Sequence, residues 1–186
     1  RGLGAGGQGI YALNITRPED FTESNAASLV MWEFKDTDDA DLGYTVSRPA
    51  IVRLCSSRDG GSTSVPQTCT SYQWVVVFGS GYNNNEVDEA TSSTARATLY
   101  VLDANTGALL KKITYTGGGT PNGFANISPA DVDGDGIADY VYAGDLFGNM
   151  VKFNLETVSG GTVGYTLYTA TDSSSLVQPI TSAPEL

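Results

Sequence analysis

At 186 residues, 40% of them hydrophobic, the chain is long enough for one well-packed domain and short for two, and its 22 glycines and 17% charged residues point to many tight turns. Ten basic against 21 acidic residues leave a net charge of −11, which disfavours nucleic acid and anionic membranes as partners and favours metal cations. Histidine is absent, which excludes Ser-His-Asp and Cys-His catalysis and the imidazole ligands of most zinc and copper sites.

In chain order, the first residues read as mid-domain sequence, with no secretory signal visible. Gly2, Gly4, Gly6, Gly7 and Gly9 form no strand–loop–helix unit, so no phosphate cradle is expected there. Residues 9–15 and 29–34 are predicted strands that resemble only the last two of a longer unit. The acidic cluster Asp36, Asp38, Asp39 and Asp41 lacks glycines and alternation, and reads as an exposed loop, with a second ion site as the minor alternative.

Four further strands are predicted at 50–54, 74–79, 97–103 and 109–115, in segments rich in Val, Ile, Tyr and Thr and separated by turn residues. Cys55 and Cys69, the only cysteines, bracket a polar stretch between the first two. They suit a disulfide closing a loop of about 15 residues, worth roughly 3 kcal/mol by chain entropy and implying an oxidising compartment. Two free thiols in a cytosolic protein are the alternative. The longest apolar run, Trp74-Val75-Val76-Val77-Phe78, is far too short to span a bilayer. Gly79-Ser80-Gly81-Tyr82 reads as a turn, Asp103-Ala104-Asn105-Thr106-Gly107 as a hairpin with positive φ at the glycine, and Arg58-Asp59-Gly60 carries no function.

The same order then returns, with a strand entering an aspartate loop and strands at 140–143, 149–155 and 163–170; Gln178-Pro179-Ile180 echoes the start of the earlier unit. A four-stranded unit recurring at roughly 50–70 residues is the signature of propeller blades. The fold expected is therefore all-β, part of a modified β-propeller with four-stranded antiparallel blades. Its divisions are a partial blade at 9–34, blades at 48–116 and 125–170, and the start of another at 176–186. Closed propellers need about four to eight blades, so the chain is expected to be a piece of a larger one.

Asp131, Asp133, Asp135 and Asp139 occupy positions 1, 3, 5 and 9 of a calcium-loop pattern, with Gly134 and Gly136 between them. Ile137, at position 7, offers its backbone carbonyl. Position 12 is Tyr142 rather than a glutamate, so Asp139 takes over that part and the chain continues as strand. Each like-charged pair in such a loop costs ~1–4 kcal/mol at about 4 Å, which a cation relieves. Six or seven oxygens at flexible distances suit calcium better than magnesium. A solvated acidic turn is the bland alternative.

With these residues in hand, the chain resembles the C-terminal propeller of the PilC/PilY family of type IV pilus tip adhesins and assembly factors. The likeness runs in order through Gly6-Gly7-Gln8-Gly9-Ile10-Tyr11-Ala12-Leu13, Trp32-Glu33-Phe34, Asp41-Leu42-Gly43-Tyr44, Pro49 and Val76-Val77-Phe78-Gly79-Ser80-Gly81-Tyr82. It continues through Leu102-Asp103, Gly107, the aspartate loop, Tyr140-Val141-Tyr142-Ala143-Gly144-Asp145-Leu146, Gly148-Asn149 and Lys152-Phe153. The resemblance implies a non-enzymatic module on the cell surface, at the fimbrium tip, in the outer membrane or in the periplasm. It also implies one calcium on Asp131, Asp133, Asp135, Asp139 and the Ile137 carbonyl, supporting pilus extension, twitching motility and adhesion. Minor pilins, the pilus tip and a host or abiotic surface are the partners it implies. The Cys55–Cys69 loop lies outside the family's pattern.

Two other classes share parts of this pattern. Integrin-α-like propellers carry similar aspartate loops, but in several successive blades. A quinoprotein dehydrogenase fragment is suggested by Leu102-Asp103-Ala104-Asn105-Thr106-Gly107, yet the tryptophan usual after that turn and adjacent cysteines are missing.

Overall fold

A computed structural model describes residues 7–59, 68–88, 90–155 and 163–186. Gly2, Gly4, Gly6 and Gly60, named above, lie outside the described residues. Strands β1 (Gly9–Leu13) and β2 (Val30–Lys35) form a two-stranded antiparallel sheet. A four-stranded sheet follows, in the order β3 (Ala50–Arg58), β4 (Cys69–Gly79), β5 (Thr98–Asp103) and β6 (Leu109–Thr114). The second four-stranded sheet runs through β7 (Phe124–Ala130), β8 (Tyr140–Asp145), β9 (Asn149–Asn154) and β10 (Gly164–Thr169). Every neighbour is antiparallel and consecutive in sequence, so each sheet is a simple meander.

The inner strands of the middle sheet are buried on both faces over residues 75–78 of β4 and 99–102 of β5, which explains why these runs are continuously apolar instead of alternating. Val75, Val77, Leu99 and Val101 face the last sheet, where they join Phe124, Val141, Ala143, Val151 and Phe153. Val76, Phe78, Tyr100 and Leu102 face the first sheet and join Ile10, Trp32, Phe34 and Leu42. There the Phe78 and Tyr100 rings stack with centroids 5.3 Å apart, and the Phe34 ring tilts against Tyr100 at 5.5 Å. Three sheets packed face to face through two such cores are the stacking of propeller blades.

The 103–107 hairpin matches the expectation. Asp103 Oδ1 accepts the N–H groups of Asn105 and Thr106, and Gly107 has φ +72°. A Cβ at Gly107 would lie 2.7 Å from the Trp32 ring, so glycine is needed for contact as well as for conformation. β1 stops at Leu13 and β2 starts at Val30, two residues and one residue inside the predicted 9–15 and 29–34, and the stretch between them holds two short 3-10 turns (Pro18–Asp20 and Glu23–Asn25) and α1 (Ala26–Leu29). Residues 176–186 form no strand. An isolated bridge from Thr171 to Val177 begins this segment, and Ile180 then donates its N–H to the Asp145 carbonyl.

Two expectations change in detail. β3 and β4 run beyond the predicted 50–54 and 74–79 as a two-stranded ribbon whose last pair is Arg58 with Cys69. Ladder hydrogen bonds do not require apolar side chains, so the polar stretch continues as strand where it was read as loop. The Cys55–Cys69 disulfide is present and clips this ribbon. The second change concerns Asp39 and Asp41, which do not lie in a wholly exposed loop. The Lys112 ammonium bridges them at 2.7 and 2.8 Å, and Asp41 also accepts hydrogen bonds from Ser92 and Thr94. A side-chain cation thus offsets part of the negative charge of this cluster.

Candidate metal centre

The aspartate loop hangs from a closed strand pair. Ala130 pairs with Tyr140 at its neck, and the Asp139 N–H donates to the Ala130 carbonyl at 2.8 Å. From the other side the Leu155 N–H holds the Asp139 carbonyl. Pro129, which has no N–H to donate, is tolerated because β7 is an edge strand of its sheet.

Within the loop, side-chain oxygens organise the backbone. Asp131 accepts the N–H groups of Gly134 and Gly136, each at 2.7 Å. Asp133 accepts from Asp135, Asp135 from Ile137, and Asp139 from Val132. Gly134 and Gly136 take φ of +79° and +81°, the left-handed conformation that lets alternate side chains turn to one side. The result gathers carboxylate oxygens of Asp131, Asp133 and Asp139 within 4.8 Å of one another. Asp135 is not in that group; one of its oxygens is engaged by the Ile137 N–H. Ile137 and Ala138 are buried, which anchors the far limb of the loop in the protein. The donors are oxygens throughout, which fits a hard cation of the calcium type.

A residue that sequence reading did not single out completes the surroundings. Arg53, on β3 of the neighbouring sheet, donates from Nε to the Gly136 carbonyl at 2.8 Å, and its backbone carbonyl accepts the Ala138 N–H at 2.9 Å. Its guanidinium lies over the rings of Tyr72 and Trp74, 4.8 and 5.8 Å from their centroids. A cleft lined by Ile51, Arg53, Trp74, Asp131, Gly136 and Ile137 separates the two elements. The arginine lies 83 residues from Gly136 in the chain, and no local pattern marks it.

Electrostatics elsewhere follow from burial and pairing. Burial by itself raises the Asp41 carboxyl, but hydrogen bonds from Lys112, Ser92 and Thr94 and the Lys112 charge outweigh it and hold the group below the ordinary range. Lys112 is pulled down by burial but pushed above its ordinary value by Asp39 and Asp41. The Tyr100 hydroxyl is raised by burial first and then by the Asp39 charge, and it donates to Asp39 at 3.0 Å.

Stacked four-stranded antiparallel sheets define a domain of the β-propeller class. The family whose description is PilY1 beta-propeller domain matches residues 1–186, and the chain belongs to that family. It is 38% identical to the type IV pilus biogenesis factor PilY1 homolog of Xylella fastidiosa, over 83% of this chain and 9% of that protein. Against type IV pilus biogenesis factor PilY1 of Pseudomonas aeruginosa strain PAO1 it is 33% identical, over 99% of this chain and 15% of that one. The crystal structure of the Pseudomonas aeruginosa PilY1 C-terminal domain superposes with a TM-score of 0.75 at 32% identity, covering 97% of this chain and 36% of that chain. The chain thus spans 9% and 15% of the lengths of these two curated relatives. The curated relatives are named as pilus biogenesis factors and not as dehydrogenases, which sets the dehydrogenase reading aside. Among the described residues, no helix is long and apolar enough to cross a membrane.

Proposed function

We propose that the loop from Asp131 to Asp139 binds one calcium ion and that the domain serves a type IV pilus biogenesis factor. The observation that carries the metal reading is the approach of three carboxylates, from Asp131, Asp133 and Asp139, within 4.8 Å. Bringing like charges so close is costly without a counter-ion. Asp131, Asp133 and Asp139 would hold the ion by side chain, Asp135 by its second oxygen and Ile137 by its carbonyl. The ion would offset two of the loop's four carboxylate charges and fix it against the adjoining sheet.

The biological half rests on relatives named as type IV pilus biogenesis factors. Calcium-dependent order in the loop would support pilus extension, and through it twitching motility and attachment to host or abiotic surfaces. Minor pilins at the pilus tip are the expected contacts. The Cys55–Cys69 disulfide agrees with a site outside the cytosol, at the cell surface or in the envelope.

Two measurements on Asp139→Ala test the two halves. Calorimetry should show that the variant loses the calcium binding of the parent; equal affinity would refute the ligand assignment. Pilus extension and twitching should be reduced in cells carrying the variant, and normal motility with calcium binding lost would refute the regulatory role.

A further inference from the structure

We propose that Arg53 is the positioning residue that presents the Ile137 carbonyl to the metal, so that the loop on one blade is completed by the blade beside it. This inference rests on the calcium reading and adds a residue to it.

The geometry concerns the two peptide groups that flank Ile137. In the first, the Gly136 carbonyl accepts from Arg53 Nε at 2.8 Å, while the Ile137 N–H donates to Asp135 Oδ1 at 2.7 Å. The carbonyl and N–H of a trans peptide point in opposite directions, so the two bonds fix that plane from both sides. In the second, the Ala138 N–H donates to the Arg53 carbonyl at 2.9 Å. This peptide is also trans, the one cis bond among the described residues being Thr120–Pro121. The Ile137 carbonyl therefore faces away from β3. One arginine thus restrains both planes, by side chain and by backbone.

The side chain is itself held in place. Its guanidinium lies over Tyr72 and Trp74, with Trp74 the direct cross-strand partner of Arg53 on β4. A planar cation with directional N–H donors suits this stacked arrangement, and a lysine ammonium does not reproduce it. Outer groups that orient metal ligands commonly change affinity by about 10–100-fold when removed.

The test compares the intact protein with Arg53→Met, Arg53→Lys and Asp139→Ala. Calcium affinity is read by calorimetry, and terbium luminescence lifetimes in light and heavy water count the waters on the bound ion. Folding of each variant is checked by near-UV circular dichroism in chelator. The Asp139→Ala signal is subtracted, which isolates this loop. We expect Arg53→Met to bind calcium about tenfold more weakly and to carry one more coordinated water, with Arg53→Lys failing to restore either value. An unchanged water count with unchanged affinity overturns the proposal, as does full rescue by lysine. A variant that is unfolded in chelator yet refolds on terbium with the parent's water count overturns it too. If the parent and Asp139→Ala take up metal identically, the calcium reading itself fails, an outcome distinct from the others.

Discussion

Gly136 bears two constraints that Gly134 does not share. Both have positive φ, but a Cβ at Gly134 meets nothing within 4 Å, whereas one at Gly136 would lie 1.9 Å from an Arg53 guanidinium nitrogen. Gly134→Ala should therefore cost only the left-handed penalty of about 1–2 kcal/mol. Gly136→Ala should also displace the arginine and weaken calcium binding beyond the Gly134→Ala value; calorimetry on the two variants checks the ranking. Lys112 offers a second test. The Asp41 pKa is depressed from 3.8, so its contribution to stability is full above that value and is lost as pH falls through the lower, folded value. The Lys112 pKa is raised from 10.5, so its share is full below that value and is lost as pH rises through the higher, folded value. Lys112→Met should accordingly lower the melting temperature near neutral pH, with the difference from the parent shrinking below about pH 3.8, the unperturbed Asp41 value. The aspartate loop was legible in the sequence because its spacing is local and glycines mark its bends. Arg53 and Lys112 were not, since each meets its partner 83 or 73 residues away in the chain.

Among the elements, the β3–β4 ribbon shows where strand patterns stop informing. The apolar segment of β4 stood out because it lies between two cores, and that of β3 because Ala50, Val52 and Leu54 pack on one of them. The ribbon beyond them has exposed Ser56, Ser71 and Tyr72, and its side chains give no alternation to read. What holds it is backbone pairing and the Cys55–Cys69 disulfide, which joins residues 14 apart. Replacing both cysteines by serine should reduce unfolding free energy by about 3 kcal/mol, measured in guanidinium chloride. A loss confined to hydrogen exchange in the ribbon, with global stability unchanged, would show that the clip acts only locally. The short helical turns between residues 18 and 29 escaped prediction for a related reason: they are too short to build a periodic pattern, and none of the residues in them is buried.

Across the whole molecule, the middle sheet is the keystone, since both cores pack against it. Phe78 lies on the side facing β1 and β2, fully buried, with the Phe34 ring at 6.2 Å and the Tyr100 ring at 5.3 Å. Phe78→Ala should destabilise the domain by about 3–5 kcal/mol, read by chemical denaturation. The repeat of strand types already implied stacked blades, because a face buried by a neighbouring sheet leaves its mark in each strand. The relation between the blades lay beyond sequence reading, for it is made by long-range contacts such as Arg53 with Gly136. The outermost faces still expose Tyr11 and Leu13 on β1 and Tyr165, Leu167 and Tyr168 on β10.

The proposed function turns on a calcium ion held in the loop between β7 and β8. Crystals grown with calcium, with data collected where calcium scatters anomalously, address it directly. A single anomalous peak ringed by oxygens of Asp131, Asp133 and Asp139 is expected, at calcium–oxygen distances of about 2.3–2.6 Å. A loop folded as described, with no peak at millimolar calcium, would contradict it.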